Sequence, residues 1–217
     1  MKSCHQYQGL GIIIGKSGYG KTYTLKQYAT AERVAYIECD DTMGSHDFVE
    51  ALEKALGMEE SYGSICKRVK GVQAFCNTNH GYLIIIDEAD KLISKHTQKK
   101  MEIIRGLFDR ANVGIIIAGE LVLESQVKQH LERMANRIDF YVRLKGLNKN
   151  EVTEYLAAYE VEDAARHELE RRAYGAQNAC FRLFDRTMNN VIRLMNARGE
   201  TRITMDIIRD ASVMMML

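Results

Sequence analysis

Proline is absent from all 217 residues. Without the residue that fixes φ and lacks an N–H, element ends must be read from hydrophobic period and capping residues alone. No stretch approaches the roughly 18 apolar residues that a membrane-spanning helix needs, and residues 1–10 lack the apolar core of a secretory leader. The expectation is a cytoplasmic chain with no membrane partner. Cys4, Cys39, Cys66, Cys76 and Cys180 are odd in number and never form a C-x-x-C pair, which argues against a zinc site or a disulfide framework and for reduced packing thiols. Internal repeats and low-complexity tracts are missing as well, which excludes a solenoid.

What is present is ordinary globular composition, 46% apolar and 27% charged, at a length that fits one domain or one domain with a small appendage. The formal net charge of +1 hides a split: residues 31–60 carry nine acidic against two basic residues, and 61–110 carry nine basic against five acidic. A nucleic-acid face or a head-to-tail assembly would need such an asymmetry, although uneven surface charge also arises by chance.

Five β-like runs, 10–14, 34–38, 82–87, 113–118 and 138–144, alternate with helical patterns. Residues 21–31 and 45–57 read as helices, the second with Ser45 as N-cap. Ile65, Val69, Val72 and Cys76 recur at helical spacing, as do Met101, Ile104 and Phe108. Alternation of this kind predicts an α/β fold with a five-stranded parallel sheet covered on both faces, whose central strands are apolar runs such as Ile84-Ile85-Ile86. Beyond Leu144 the strand signal stops. Asn148 and Glu151 can form a capping box, and helices follow at about 161–174, 177–198 and 204–214. The expected organisation is a core over residues 1–146 and a small helical lid over 147–217.

Gly15-Lys16-Ser17-Gly18-Tyr19-Gly20-Lys21-Thr22 matches G-x-x-x-x-G-K-[ST] between an apolar strand and a helical segment. A triphosphate is densely anionic; it needs inward-facing backbone N–H groups, glycines that allow close approach and the positive end of a helix. Lys21 is expected to reach the β- and γ-phosphates of ATP, and the Thr22 hydroxyl to ligate Mg²⁺. The run Leu83–Ile86 ends in Asp87 and Glu88. Asp87 would hold Mg²⁺ and Glu88 would act as general base on the attacking water, a second carboxylate that binding alone does not require.

With this loop, the acidic strand end, a further strand and helices behind it, the chain resembles the AAA+ ATPases over nearly its whole length. Within them it looks most like the MuB/TniB/TnsC group of transposition regulators, through residues 15–22, 84–90, 114–120 and 130–138. The resemblance implies a P-loop NTPase that oligomerises on duplex DNA without sequence preference and recruits or stimulates a transposase. It also implies two arginine roles: Arg133 or Arg137 as a finger reaching a neighbouring subunit's nucleotide, and Arg193 as a lid arginine sensing the γ-phosphate. Lys67, Arg68, Lys70, Lys95, Lys99 and Lys100 lie where the relatives' loops face DNA. Read without the resemblance, each of these cations is a solvated surface charge. One departure is visible: the strand before Gly119-Glu120 ends without the polar Asn or Thr usual in the family. A helicase loader of the DnaC/IstB kind and a nucleotide-regulated signalling ATPase without DNA are the competing functions.

Overall fold

The computed structural model describes residues 1–59, 61–92, 99–130 and 136–215. The chain divides into two compact units, one of Met1–Lys16 with Lys21–Leu144, the other of Ser17–Gly20 with Lys145–Leu217. The loop tip at 17–20 therefore groups with the C-terminal residues rather than with a continuous stretch of the first 146.

In the first unit the elements run α1 (Lys2–Tyr7), β1 (Leu10–Ile14), α2 (Lys21–Tyr28), β2 (Val34–Glu38), α3 (Ser45–Ala55), α4 (Ile65–Thr78) and β3 (Tyr82–Asp87). A 3₁₀ turn (Ala89–Leu92), α5 (Lys99–Arg110), β4 (Val113–Gly119), α6 (Leu121–His130) and β5 (Phe140–Arg143) follow. The five strands form one parallel sheet in the order β2-β3-β4-β1-β5. Because side chains alternate across a strand, Ile84, Ile86, Ile115 and Ile117 pack into one cluster with Phe48, Leu52, Val72, Met101, Ile104 and Leu107 from α3, α4 and α5. Leu83, Ile85, Ile116 and Ala118 pack on the opposite face with Cys4 of α1 and Leu25 of α2. Burial of both faces explains why β3 and β4 are uninterrupted apolar runs.

The second unit contains α7 (Lys149–Leu156), β6 (Glu160–Val161), α8 (Asp163–Glu170), a π-helical turn (Arg171–Gly175), α9 (Phe181–Arg198), β7 (Arg202–Ile203) and α10 (Met205–Val213). Phe184, Met188, Val191 and Met195 form one stripe of α9 and pack with Leu156, Leu169 and Ile207. The capping box is present in both directions: Glu151 N–H donates to Asn148 Oδ1 at 3.0 Å and Asn148 N–H donates to Glu151 Oε2 at 2.8 Å.

Some expectations shift. Ser45 is the first helical residue, not the cap; Gly44 precedes it in extended conformation and its N–H donates to Asp47 Oδ2 at 2.8 Å. The last core strand is shorter than 138–144, at Phe140–Arg143. The short parallel β6/β7 pair and α1 have no counterpart in the sequence reading.

Candidate nucleotide site

Parallel strands place all their carboxyl ends at one edge of the sheet, which is where ligands of open α/β sheets bind. At that edge the chain leaves β1 into the glycine loop, and β3 ends in Asp87. The loop's first residue is tied to the sheet through Gly15 N–H, which donates to the Gly119 carbonyl at 3.3 Å. Lys21 opens α2 and is only 5% exposed; its ammonium donates to the carbonyls of Gly15 at 2.8 Å and Lys16 at 3.2 Å. Thr22, next along, is half-buried, while Lys16 and Ser17 are exposed.

Asp87 is fully buried. Its Oδ1 accepts from Glu88 N–H at 2.9 Å and its Oδ2 from the Tyr36 hydroxyl at 3.0 Å. Burial first, and then the Asp87 charge, push the Tyr36 pKa far up, so this phenol stays protonated and donates. Each Asp87 oxygen keeps a lone pair for a metal. Asp87 and the Thr22 hydroxyl expected beside it are a carboxylate and a neutral oxygen, donor types that suit Mg²⁺, which takes few protein ligands and completes its shell with phosphate and water. Around Tyr36, Lys26 pairs with Glu38 at 2.8 Å and lies over the Tyr36 ring at 5.5 Å.

Glu88 has φ 55°, a left-handed conformation uncommon for a residue with a side chain. It pairs with Lys91 at 3.3 Å on the following turn. Asp90 braces the neighbouring strand end, its Oδ1 accepting from Glu120 N–H at 2.9 Å. A Cβ at position 119 would collide with that same carboxylate, which accounts for glycine where a polar residue is usual.

In the second unit the loop tip has Gly18 at φ 79° and Gly20 at φ 85°. At Gly18 a Cβ would also meet the Cys180 sulfur at 2.9 Å, so close approach and conformation both demand glycine. Arg182 N–H donates to the Gly18 carbonyl at 2.9 Å and its guanidinium to Ser17 Oγ at 3.4 Å. Tyr19 is half-buried, and its ring borders Gly146.

The remaining expected residues separate. Arg193 is exposed on α9, and Arg182, not Arg193, is the α9 arginine bonded to the loop. Arg137 is ion-paired with Asp109 of α5, and Arg133 lies outside the described residues. Among the basic residues, Lys67, Lys70 and Lys99 are exposed and Lys95 is outside the described residues. Arg68 and Lys100 are corrections: Arg68 grips Glu53 at 2.6 Å with both side chains nearly buried, and Lys100 is 8% exposed and donates to the Met43 carbonyl at 2.6 Å. Neither can face a phosphate without giving up an interior bond. Sequence reasoning missed Tyr36, Lys91 and Arg182. Lys91 stands within one turn of Glu88 and was legible as an i,i+3 partner, whereas Arg182 is 165 residues from Ser17 and carries no local signal.

A family model described as an AAA domain matches residues 4–127. A potential ATP-binding protein of Staphylococcus aureus is 23% identical over 96% of this chain and 89% of its own length. Among solved structures, the Aeropyrum pernix ORC2 protein in ADPNP–ADP complexes superimposes with a TM-score of 0.73 at 14% identity, covering 97% of this chain and 66% of that one. The Aeropyrum pernix ORC1 protein in complex with DNA gives 0.70 at 13% identity, covering 95% and 59%. The Thermotoga maritima RuvB Holliday junction branch migration motor gives 0.61 at 15%, covering 98% and 65%. The chain thus spans less than two thirds of the length of each of these three structures.

Proposed function

The chain belongs to the AAA domain family of P-loop ATPases, and on that premise we propose that it binds ATP with Mg²⁺ and hydrolyses it to control its own assembly on duplex DNA. The observation that carries this reading is the pairing, at one edge of a parallel sheet, of a glycine loop with a buried Lys21 and a strand ending in a fully buried Asp87.

Bound ATP supplies the phosphoanhydride that water cleaves. Lys21 would exchange the carbonyls of Gly15 and Lys16 for phosphate oxygens, and the residues of Gly15–Thr22 would wrap the phosphates with backbone N–H groups. Thr22 and Asp87 would hold the metal, with Tyr36 fixing the second Asp87 oxygen. Glu88 would exchange the Lys91 ammonium for the attacking water and take its proton. Arg182, bonded to Ser17, would serve as the lid cation beside the loop, with Arg193, exposed on the same helix, as the alternative. The finger role stays with Arg133 or Arg137, and Arg137 would have to leave Asp109 to reach a neighbouring subunit. We take residues 1–146 as the ATPase core and 147–217 as the lid.

Lys67, Lys70 and Lys99 remain available for phosphate contacts, and such contacts make binding salt-dependent and indifferent to sequence. That behaviour suits a MuB-like target selector that recruits a transposase. The DNA complex of the ORC1 neighbour supports a DNA role by analogy of fold only. ATP turnover measured with duplex DNA, with single-stranded DNA and with none tests the proposal. Stimulation by duplex supports it, preference for single strands favours a helicase loader, and indifference to both contradicts a DNA function.

A further inference from the structure

Besides the nucleotide site, the first unit holds a groove between α4 and α5, about 620 Å³ in volume. Its apolar lining comes from Ile65, Val69 and Ile103. Lys70, Lys99, Arg105 and Arg110 supply its charge, against a single acid, Glu102, which pairs with Arg105 at 2.6 Å. Arg105 Nε is buried with no acceptor among the described residues, a donor left without a partner at the groove wall.

The floor is opened by a residue that packing does not require. Gly106 stands in the middle of α5, where glycine is less stable than alanine, and a Cβ there would meet nothing within 4 Å. The space it leaves is part of the groove. Gln73 donates to the Gly106 carbonyl at 3.0 Å and pins the two helices at that separation.

We propose that this groove docks an acidic amphipathic helix of a partner protein. Apolar side chains at i, i+3, i+4 and i+7 would seat on Ile65, Val69 and Ile103 over Gly106, and carboxylates on the flanks would meet Lys70, Lys99 and Arg110. A phosphate backbone uses the cations but has no use for the apolar floor, so of the three exposed lysines named above the groove takes Lys70 and Lys99 for the peptide and leaves Lys67, outside the groove, to nucleic acid. The proposal goes beyond the nucleotide reading and does not depend on it.

Fluorescence anisotropy of the full chain with a labelled synthetic peptide of about 14 residues, leucines at the helical stripe and glutamates elsewhere, tests it. A scrambled peptide of equal composition, a lysine-for-glutamate version and labelled duplex DNA run in parallel. The acidic peptide binds and the two control peptides do not. Gly106→Leu, which fills the groove and improves the helix, weakens the peptide by about tenfold or more, as does Ile103→Asp, while Gly106→Leu leaves DNA binding unchanged. No binding of the acidic peptide to the wild type, or equal binding to Gly106→Leu, overturns the proposal. Loss of DNA binding in Gly106→Leu without peptide binding assigns the groove to nucleic acid instead and overturns it equally.

Discussion

Lys21 and Asp87 are charged groups taken almost wholly out of water, and each is held by partners it can share or exchange. Burying a charge is costly unless it is bonded, and the proposed Mg·ATP site would take over these partners' bonds. Lys21→Ala should abolish Mg·ATP binding, whereas Glu88→Gln should retain binding and lower turnover by about a hundredfold or more, since only the base is lost. Filter binding beside a phosphate-release assay separates the two, and wild-type turnover in Glu88→Gln would contradict the base assignment. Tyr36→Phe removes the donor to Asp87 Oδ2; a hydrogen bond to a charged group contributes about 1.5–3 kcal/mol, so the melting temperature should fall by several degrees. Half-saturating Mg²⁺ should rise at the same time. Because burial and Asp87 keep the Tyr36 hydroxyl protonated, the effect should not vary between mildly acid and mildly alkaline pH.

At the scale of elements, the helical unit is organised around a buried arginine on a π-helical turn. Arg172 donates to Glu168 Oε1 at 2.8 Å, to Thr187 Oγ1 at 3.2 Å and to Ser212 Oγ at 2.7 Å, joining α8, α9 and α10. The Arg171 hydrogen bond foremost, against burial and with help from Arg172, holds the Glu168 pKa down to about 2 from 4.5. A folded-state pKa lowered in this way contributes stability that is complete above pH 4.5 and is lost as pH falls toward 2. Glu168→Gln should therefore be destabilised relative to wild type in neutral urea melts, and the gap should close as the buffer is acidified. Asn148→Ala should cost about 1 kcal/mol through its cap. These elements differ in legibility. The capping box, the α9 stripe and the apolar runs of β1, β3 and β4 announce themselves because local period and caps determine them. The β6/β7 pair is two residues long and carries no period, and the π turn depends on the Arg172 network, which only tertiary packing assembles. In the nucleotide site, Gly15–Thr22 and Asp87-Glu88 are contiguous motifs, whereas Tyr36 is 51 residues from the Asp87 it orients.

For the whole molecule, the acidic 31–60 and basic 61–110 segments keep their polarity at the surface only in part, since Glu53, Arg68 and Lys100 turn inward. Neutralising Lys67 should reduce the slope of log affinity for duplex DNA against log salt by about one, while Arg68→Ala should lower stability through the stranded Glu53 charge. Electron microscopy with duplex DNA and a non-hydrolysable ATP analogue should show an ordered oligomer; a persistent monomer would contradict assembly on DNA. The most direct test of the central claim is a calorimetric titration of that analogue with Mg²⁺ into wild type and Lys21→Ala, with circular dichroism confirming that both are folded. The account predicts saturable one-site binding to the wild type, lost in Lys21→Ala. No heat of binding with the wild type, or equal affinity in the variant, would contradict it.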